Sequence, residues 1–343
     1  MVVGAAAAVA GGALAATALA AHESAAARVQ AGLVTDIGGI NDRSFNFLAD
    51  RGLRQAAAAL GFRPALRESH TASDYIPNIR RLVAQRKNVI VTVGFLMADA
   101  TGRMARRSPA TDFAIVDFSA KDRTTINRAR NVKGLVFKEQ QAGYLAGYAA
   151  GLVEKQPRGV KGLNGRQIVS AVGGQKIPAV DRYIAGFRAG AEAADPGVTV
   201  LIAYSQDLID QAKCRQQALD QIEQGSDIVF QAARQCGLGA LAAANDRGVW
   251  GIGSDADQRS LGPHVLTSAE KRVDVAVRTA ITEVANGTFR GGGDETFGLG
   301  NGGVALGPLS TALPAALRGQ VQAQVDRVRT RIIAGKVRIP TTV

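Results

Sequence analysis

The feature that most narrows what this chain can fold into is a repeat. Short β-branched runs fall at 32–35, 62–68, 88–93 and 112–117, and a second set follows at 167–172, 198–203, 227–231 and 249–253. Between them, segments 44–60, 74–86, 98–107, 179–194, 209–224 and 238–247 carry apolar residues three and four apart, the spacing of an amphipathic helix. Strands apolar on both faces that alternate with helices build parallel sheets covered on both sides. Two such units predict an α/β protein of two doubly wound lobes rather than one large sheet. Open sheets of this kind take ligands beyond the carboxyl ends of their strands. Asp36, Gly94, Asp117, Gly173-Gly174, Tyr204 to Gln206, Gln231 and Asp255 stand at those ends and are expected to line one shared cleft.

After Gly253 the pattern changes to a short run at 265–267, a long helix at 269–286, a Gly-rich extended stretch at 287–307 and a terminal helix near 313–333. The chain is expected to recross between lobes near 134–140, 262–270 and 288–294, which makes a three-crossing hinge able to close around a ligand. The division that follows is a first lobe of 29–136 with 265–290, a second of 137–264 with 291–320, and a terminal helix and tail at 321–343.

Composition supports a globular reading and removes several functions. The chain has 343 residues, 46% hydrophobic and 20% charged, with 40 Gly but only 5% aromatics, as tight strand-to-helix turns require. Its formal charge is +12, yet the basic residues are spread along the whole length without interleaved aromatics, so nucleic acid is not the expected partner. Three His and two Cys are too few for a Cys/His zinc module. No nucleophile elbow or P-loop is present, and the carboxylates of Asp255 and Asp257 gather no further hard ligands. No catalytic residue, metal or cofactor is expected.

The one uncharged apolar segment, 2–21, has the length of a signal-peptide core, and Ala18-Leu19-Ala20 fits the small-x-small cleavage pattern. It lacks a basic residue ahead of it, and no Cys follows to carry a lipid. Export is expected, to a cell-surface or periplasmic location, with an uncleaved Ala-rich anchor as the other reading and 22–28 as a tether. Cys214, at the start of one helix, and Cys236, in the loop after the next strand, lie on the same sheet edge of a βαβ unit. A disulfide between them is expected, as export permits; two reduced thiols are the alternative.

More specific motifs begin with Asp36-Ile-Gly-Gly-Ile-Asn-Asp42-Arg-Ser44-Phe45-Asn46 and continue through Gly143-Tyr-Leu-Ala-Gly147, Gly186-Phe187-Arg-Ala-Gly190 and Gly253-Ser-Asp255-Ala-Asp257-Gln258 to Thr267-Ser-Ala-Glu-Lys271. In this order they resemble the basic membrane protein, or PnrA-like, family of ABC transporter substrate-binding proteins. The resemblance spans about 31–290. It implies a type I periplasmic-binding fold, a nucleoside ligand (purine first), an ABC permease with its ATPase as partners, and a monomer associated with the membrane through its N-terminus or its partner.

Carried over position by position, the family pattern puts Phe45 against the base and Phe187 on its opposite face, a sandwich in which each base–aromatic contact gains about 1–3 kcal/mol. Asp36 and Asn46 match polar contacts to the base, Asp255 the carboxylate that accepts from ribose hydroxyls, and Lys271 the basic group closing the polar side. Asp117, at a strand end, completes the set. Asp42 and Ser44 are read as caps of the helix that begins near 44. A ligand sensor outside transport and a nucleoside-processing enzyme are the competing functions.

Overall fold

The computed structural model describes residues 29–156 and 159–343, so the expectations for the leader and the tether lie outside the described residues. No helix among the described residues is long and apolar enough to cross a membrane. The first half runs β1 (Ala31–Thr35), α1 (Phe45–Leu60), β2 (Ala65–Arg67), α2 (Tyr75–Ala84), β3 (Val89–Val93), α3 (Ala98–Arg107), β4 (Asp112–Val116) and β5 (Val132–Phe137). The second runs α4 (Glu139–Glu154), β6 (Ile168–Gly173), α5 (Pro178–Ala194), β7 (Thr199–Tyr204), α6 (Gln211–Glu223), β8 (Ile228–Ala232), α7 (Gly237–Asp246), β9 (Trp250–Asp255) and β10 (Val265–Lys271). Then come α8 (Val273–Ala285), β11 (Asp294–Phe297), β12 (Val304–Leu306) and α9 (Ala315–Ile333).

These strands form two six-stranded sheets of the same order, β11-β5-β4-β3-β1-β2 and β12-β10-β9-β8-β6-β7. The pairings are parallel except where β12 runs antiparallel to β10. Strands β1, β3 and β8 are buried along their whole length, as strands covered on both faces must be.

The late crossings fall elsewhere than expected. Residues 265–271 were assigned to the first lobe with a helix from 269; they form β10, paired to β9 and β12 in the second sheet. Ala269 and Glu270 favour helix locally, but a ladder on both sides outweighs that preference. The chain leaves the second lobe only at Arg272, and α8 packs on α1 so closely that a Cβ at Gly52 would lie 2.5 Å from the carbonyl of Asp274. The Gly-rich stretch, expected to join the second lobe at 291, first supplies β11 to the first sheet and recrosses between Phe297 and Val304.

The glycines of two motifs serve the second lobe's interior. A Cβ at Gly147 would run into the carbonyl of Phe187, and one at Gly190 into that of Tyr144, so α4 and α5 touch backbone to backbone. Cys214 and Cys236 are joined by a disulfide with 5.5 Å between Cα atoms, and the Ser205 hydroxyl lies 3.4 Å from each sulfur.

At the outer end of α4, Glu154 and Asp227 are buried together; both Glu154 oxygens and Oδ1 of Asp227 have no hydrogen-bond partner. Burial, then Asp227, pushes the Glu154 carboxyl far above the ordinary value of 4.5. A proton shared between the two groups would satisfy both. A carboxyl with a raised folded-state pKa binds its proton on folding, so its contribution is complete below about pH 4.5 and is lost as pH rises. Glu154→Gln should therefore gain stability over the parent by up to about 1.4 kcal/mol per pH unit above that point. Thermal melts from pH 5 to 9 measure it, and parallel curves would exclude the shared proton.

Candidate functional site

The carboxyl ends of both sheets' strands face one another across the cleft. Asp36 leaves β1 with its N–H on the carbonyl of Val93, 3.2 Å away. Gly94, after β3, has φ of +108°, and a Cβ there would collide with the Asp36 carboxylate. Phe45 and Asn46 open α1. The buried Asp42 carboxylate caps that helix, accepting from the N–H groups of Ser44 (3.0 Å), Asn46 (2.8 Å) and Phe47 (3.0 Å). Burial pushes Asp42 up to about 6 despite these bonds. Ser44 does not cap: its hydroxyl reaches across the cleft and donates to Oδ2 of Asp255 at 2.6 Å.

Asp117 and Asp255 hold equivalent places, each at the end of the fourth strand of its lobe. Both are left-handed, with φ of +66° and +64°, a conformation that Asp tolerates better than most residues. The turn aims each short carboxylate at the opposite lobe. Asp117 meets the Lys271 ammonium at 2.6 Å, and Asp36 accepts from Arg234 Nη1 at 2.6 Å. Lys271 also bonds Glu139 at 3.0 Å, and Glu139 in turn binds Arg182 at 2.6 Å. Charges therefore alternate along Asp117, Lys271, Glu139 and Arg182, with little water to screen them.

Burial works against the charged form of Lys271 and of Arg234, yet the facing carboxylates, led by Asp117 and Asp36 respectively, hold both above their ordinary values. Burial also raises the Asp36 carboxyl, with Arg234 pulling it part of the way back. The Phe45 ring lies under both cations, 4.1 Å from the Arg234 guanidinium carbon and 5.1 Å from Lys271 Nζ, a desolvated cation–π pairing. Between the lobes a cavity of about 30 Å³ remains, walled by Phe45, Asp117, Tyr183, Arg234, Asp255 and Lys271 with Ile177 and Val180. Ligand pockets usually hold roughly 300–1,000 Å³, so entry of a small molecule requires the lobes to part.

Of the residues singled out from sequence, Phe45, Asp117, Asp255 and Lys271 meet at this cavity. Asp36 and Asn46 lie in the layer behind Arg234, where Asn46 donates to Asp36 at 3.2 Å and its own carbonyl oxygen is buried without a partner. Phe187 is not brought there. It is fully buried in the second lobe, stacked on Phe230 of β8 with centroids 4.9 Å apart. The ring that α5 presents to the cleft is Tyr183, one turn earlier on the same face, whose hydroxyl lies 3.3 Å from Oδ1 of Asp255.

Opposite Phe45 stands Arg234, which sequence reading missed although it follows strand β8 by two residues. Glu139 was also missed; its place at the first turn of α4, just past the first crossing, was the available signal. Among the described residues no cluster of His, Cys, Asp and Glu could hold a metal ion.

Known proteins share this architecture. The family described as ABC transporter substrate-binding protein PnrA-like matches residues 29–342. A CD4+ T-cell-stimulating antigen of Listeria monocytogenes is 31% identical over 330 residues, covering 90% of this chain and 87% of its own length. The ABC transporter nucleoside-binding protein BmpA of Lactococcus lactis is also 31% identical, covering 91% and 89%. An ABC transporter solute-binding protein of Aeropyrum pernix superposes with a TM-score of 0.78 at 25% identity, over 91% and 93%. A tagatopyranose-bound solute-binding protein of Agrobacterium vitis, at 15% identity and a TM-score of 0.60 over 84% and 98%, shares the fold alone.

Proposed function

The chain belongs to the PnrA-like family of ABC transporter substrate-binding proteins, and we propose that it is exported and captures a nucleoside, purine first, for delivery to an ABC permease driven by its ATPase. The observation that carries this reading is the cross-cleft set of Phe45, Asp117, Asp255 and Lys271. It offers one aromatic face for a heterocycle and paired carboxylates and cations for a polyhydroxylated sugar. The name of the Lactococcus relative points to the same ligand class.

Opening would carry Arg234 away with the second lobe, uncovering the Phe45 ring and the Asp36 carboxylate. A base could then stack on that ring while Asp255 accepts from the ribose hydroxyls, and closure would wrap it with side chains of both lobes. Because ligand touches both lobes only in the closed form, binding shifts the population towards that form. No bond is made or broken in this scheme.

The test is a thermal-shift panel of purine nucleosides, pyrimidine nucleosides, free bases and ribose. A ligand that binds the folded state alone stabilises it by about 2.7 kcal/mol at a hundred times its Kd. A rise with nucleosides, and none with ribose, is expected. A flat panel defeats the reading, and release of free base from a nucleoside would replace it with an enzyme.

A further inference from the structure

Because the strands of the first sheet run parallel, the segments that enter them lie along one edge, opposite the cleft. These segments carry Arg63 before β2, Arg86 before β3, Arg106 and Arg107 before β4, Arg128 and Arg130 before β5, and Arg290 before β11, all exposed. Across 61–64, 85–88, 106–111, 126–131 and 286–293 there is no Asp or Glu. Among the described residues none of the seven arginines joins an ion pair. Arg106 and Arg290 spend their hydrogen bonds on backbone carbonyls. Burial, and then Arg63, draws the nearby Lys87 below its ordinary value, as expected where positive charge goes unopposed. On the matching edge of the second lobe Lys161 and Arg166 are exposed, but Arg247 pairs with Glu223 and Asp246 with Arg215, while Asp195 and Asp227 are buried.

The same edge receives the N-terminus. Gln30 is bonded to Asn88 just ahead of β3, so whatever precedes Val29 arrives among these arginines. Ahead of it lie residues 22–28 and the apolar segment 2–21. Seven extended residues reach about 25 Å, so an N-terminal segment held at a membrane would keep this edge close to the lipid headgroups. We propose that the arginine edge of the first lobe is a docking surface for anionic lipid headgroups. Polybasic surfaces bind such headgroups through charge, and the attraction fades with salt.

The test is co-sedimentation of the full-length chain with phosphatidylcholine vesicles, with and without phosphatidylglycerol, at rising salt. Wild-type protein should favour the anionic vesicles, and the preference should vanish in high salt. Each arginine near the surface contributes about fivefold, so Arg86→Glu/Arg107→Glu/Arg130→Glu should weaken anionic binding by at least about a hundredfold. The same variant should keep its melting temperature and its response to nucleosides. Arg166→Glu/Arg247→Glu, on the second lobe, should bind as wild type. Equal binding to both vesicle types, an undiminished triple variant, or an equal loss in the second-lobe variant would each overturn the proposal. Wild-type protein that ignores anionic vesicles would overturn it as well, and leave the edge to a protein partner.

Discussion

Asp255→Ala should weaken nucleoside binding by about a hundredfold. A charge-assisted hydrogen bond contributes about 1.5–3 kcal/mol, and the proposed ribose contact uses two carboxylate oxygens that no neighbour can replace. The variant also strands the Ser44 hydroxyl, which now reaches Asp255 across the cleft at 2.6 Å, so closure itself loses a contact. Asp255→Asn separates the two effects: it keeps the shape and the left-handed turn while removing the charge, and about thirtyfold of the loss should remain. Calorimetry with the best nucleoside from the panel measures both. Affinity within threefold of wild type for Asp255→Asn would remove this carboxylate from the site.

Lys271→Met should be the most destabilising single change in the cleft. Lys271 is 1% exposed, and its ammonium lies between Asp117 at 2.6 Å and Glu139 at 3.0 Å. Removing one partner from a buried ionic group costs about 3–5 kcal/mol, because the charge left behind has neither water nor counter-ion. In a chain of this size that corresponds to a fall in Tm of about 4–7 °C. Asp117→Asn added to Lys271→Met should recover part of the loss at neutral pH. A single variant that melts with wild type at pH 7.5 would mean the three groups are held apart by water in solution.

Much of this architecture can be read from residues alone, since β-branched runs and apolar spacing report local structure wherever both faces of a strand are buried. The runs at 88–93 and 227–231 correspond to β3 and β8, buried end to end. Strand ends then named Asp36, Gly94, Asp117 and Asp255, because a parallel sheet leaves little choice about which edge of a strand a βα turn occupies. The first crossing, near 134–140, was legible for the same reason. The later ones were not: 265–271 and 294–297 are short, and whether they become strand depends on which sheet offers them a ladder.

Residue type and position along the chain, then, determined two α/β lobes and most of the acidic and aromatic side chains at the cleft. The folded arrangement alone decided that Phe187 belongs to the core, that Tyr183 takes its place at the wall, and that Arg234 covers Phe45. A helix turns 100° per residue and carries a ring in or out of a cleft only according to what packs against it. A cation finds its carboxylate across a hinge only when two distant stretches of chain have closed on one another.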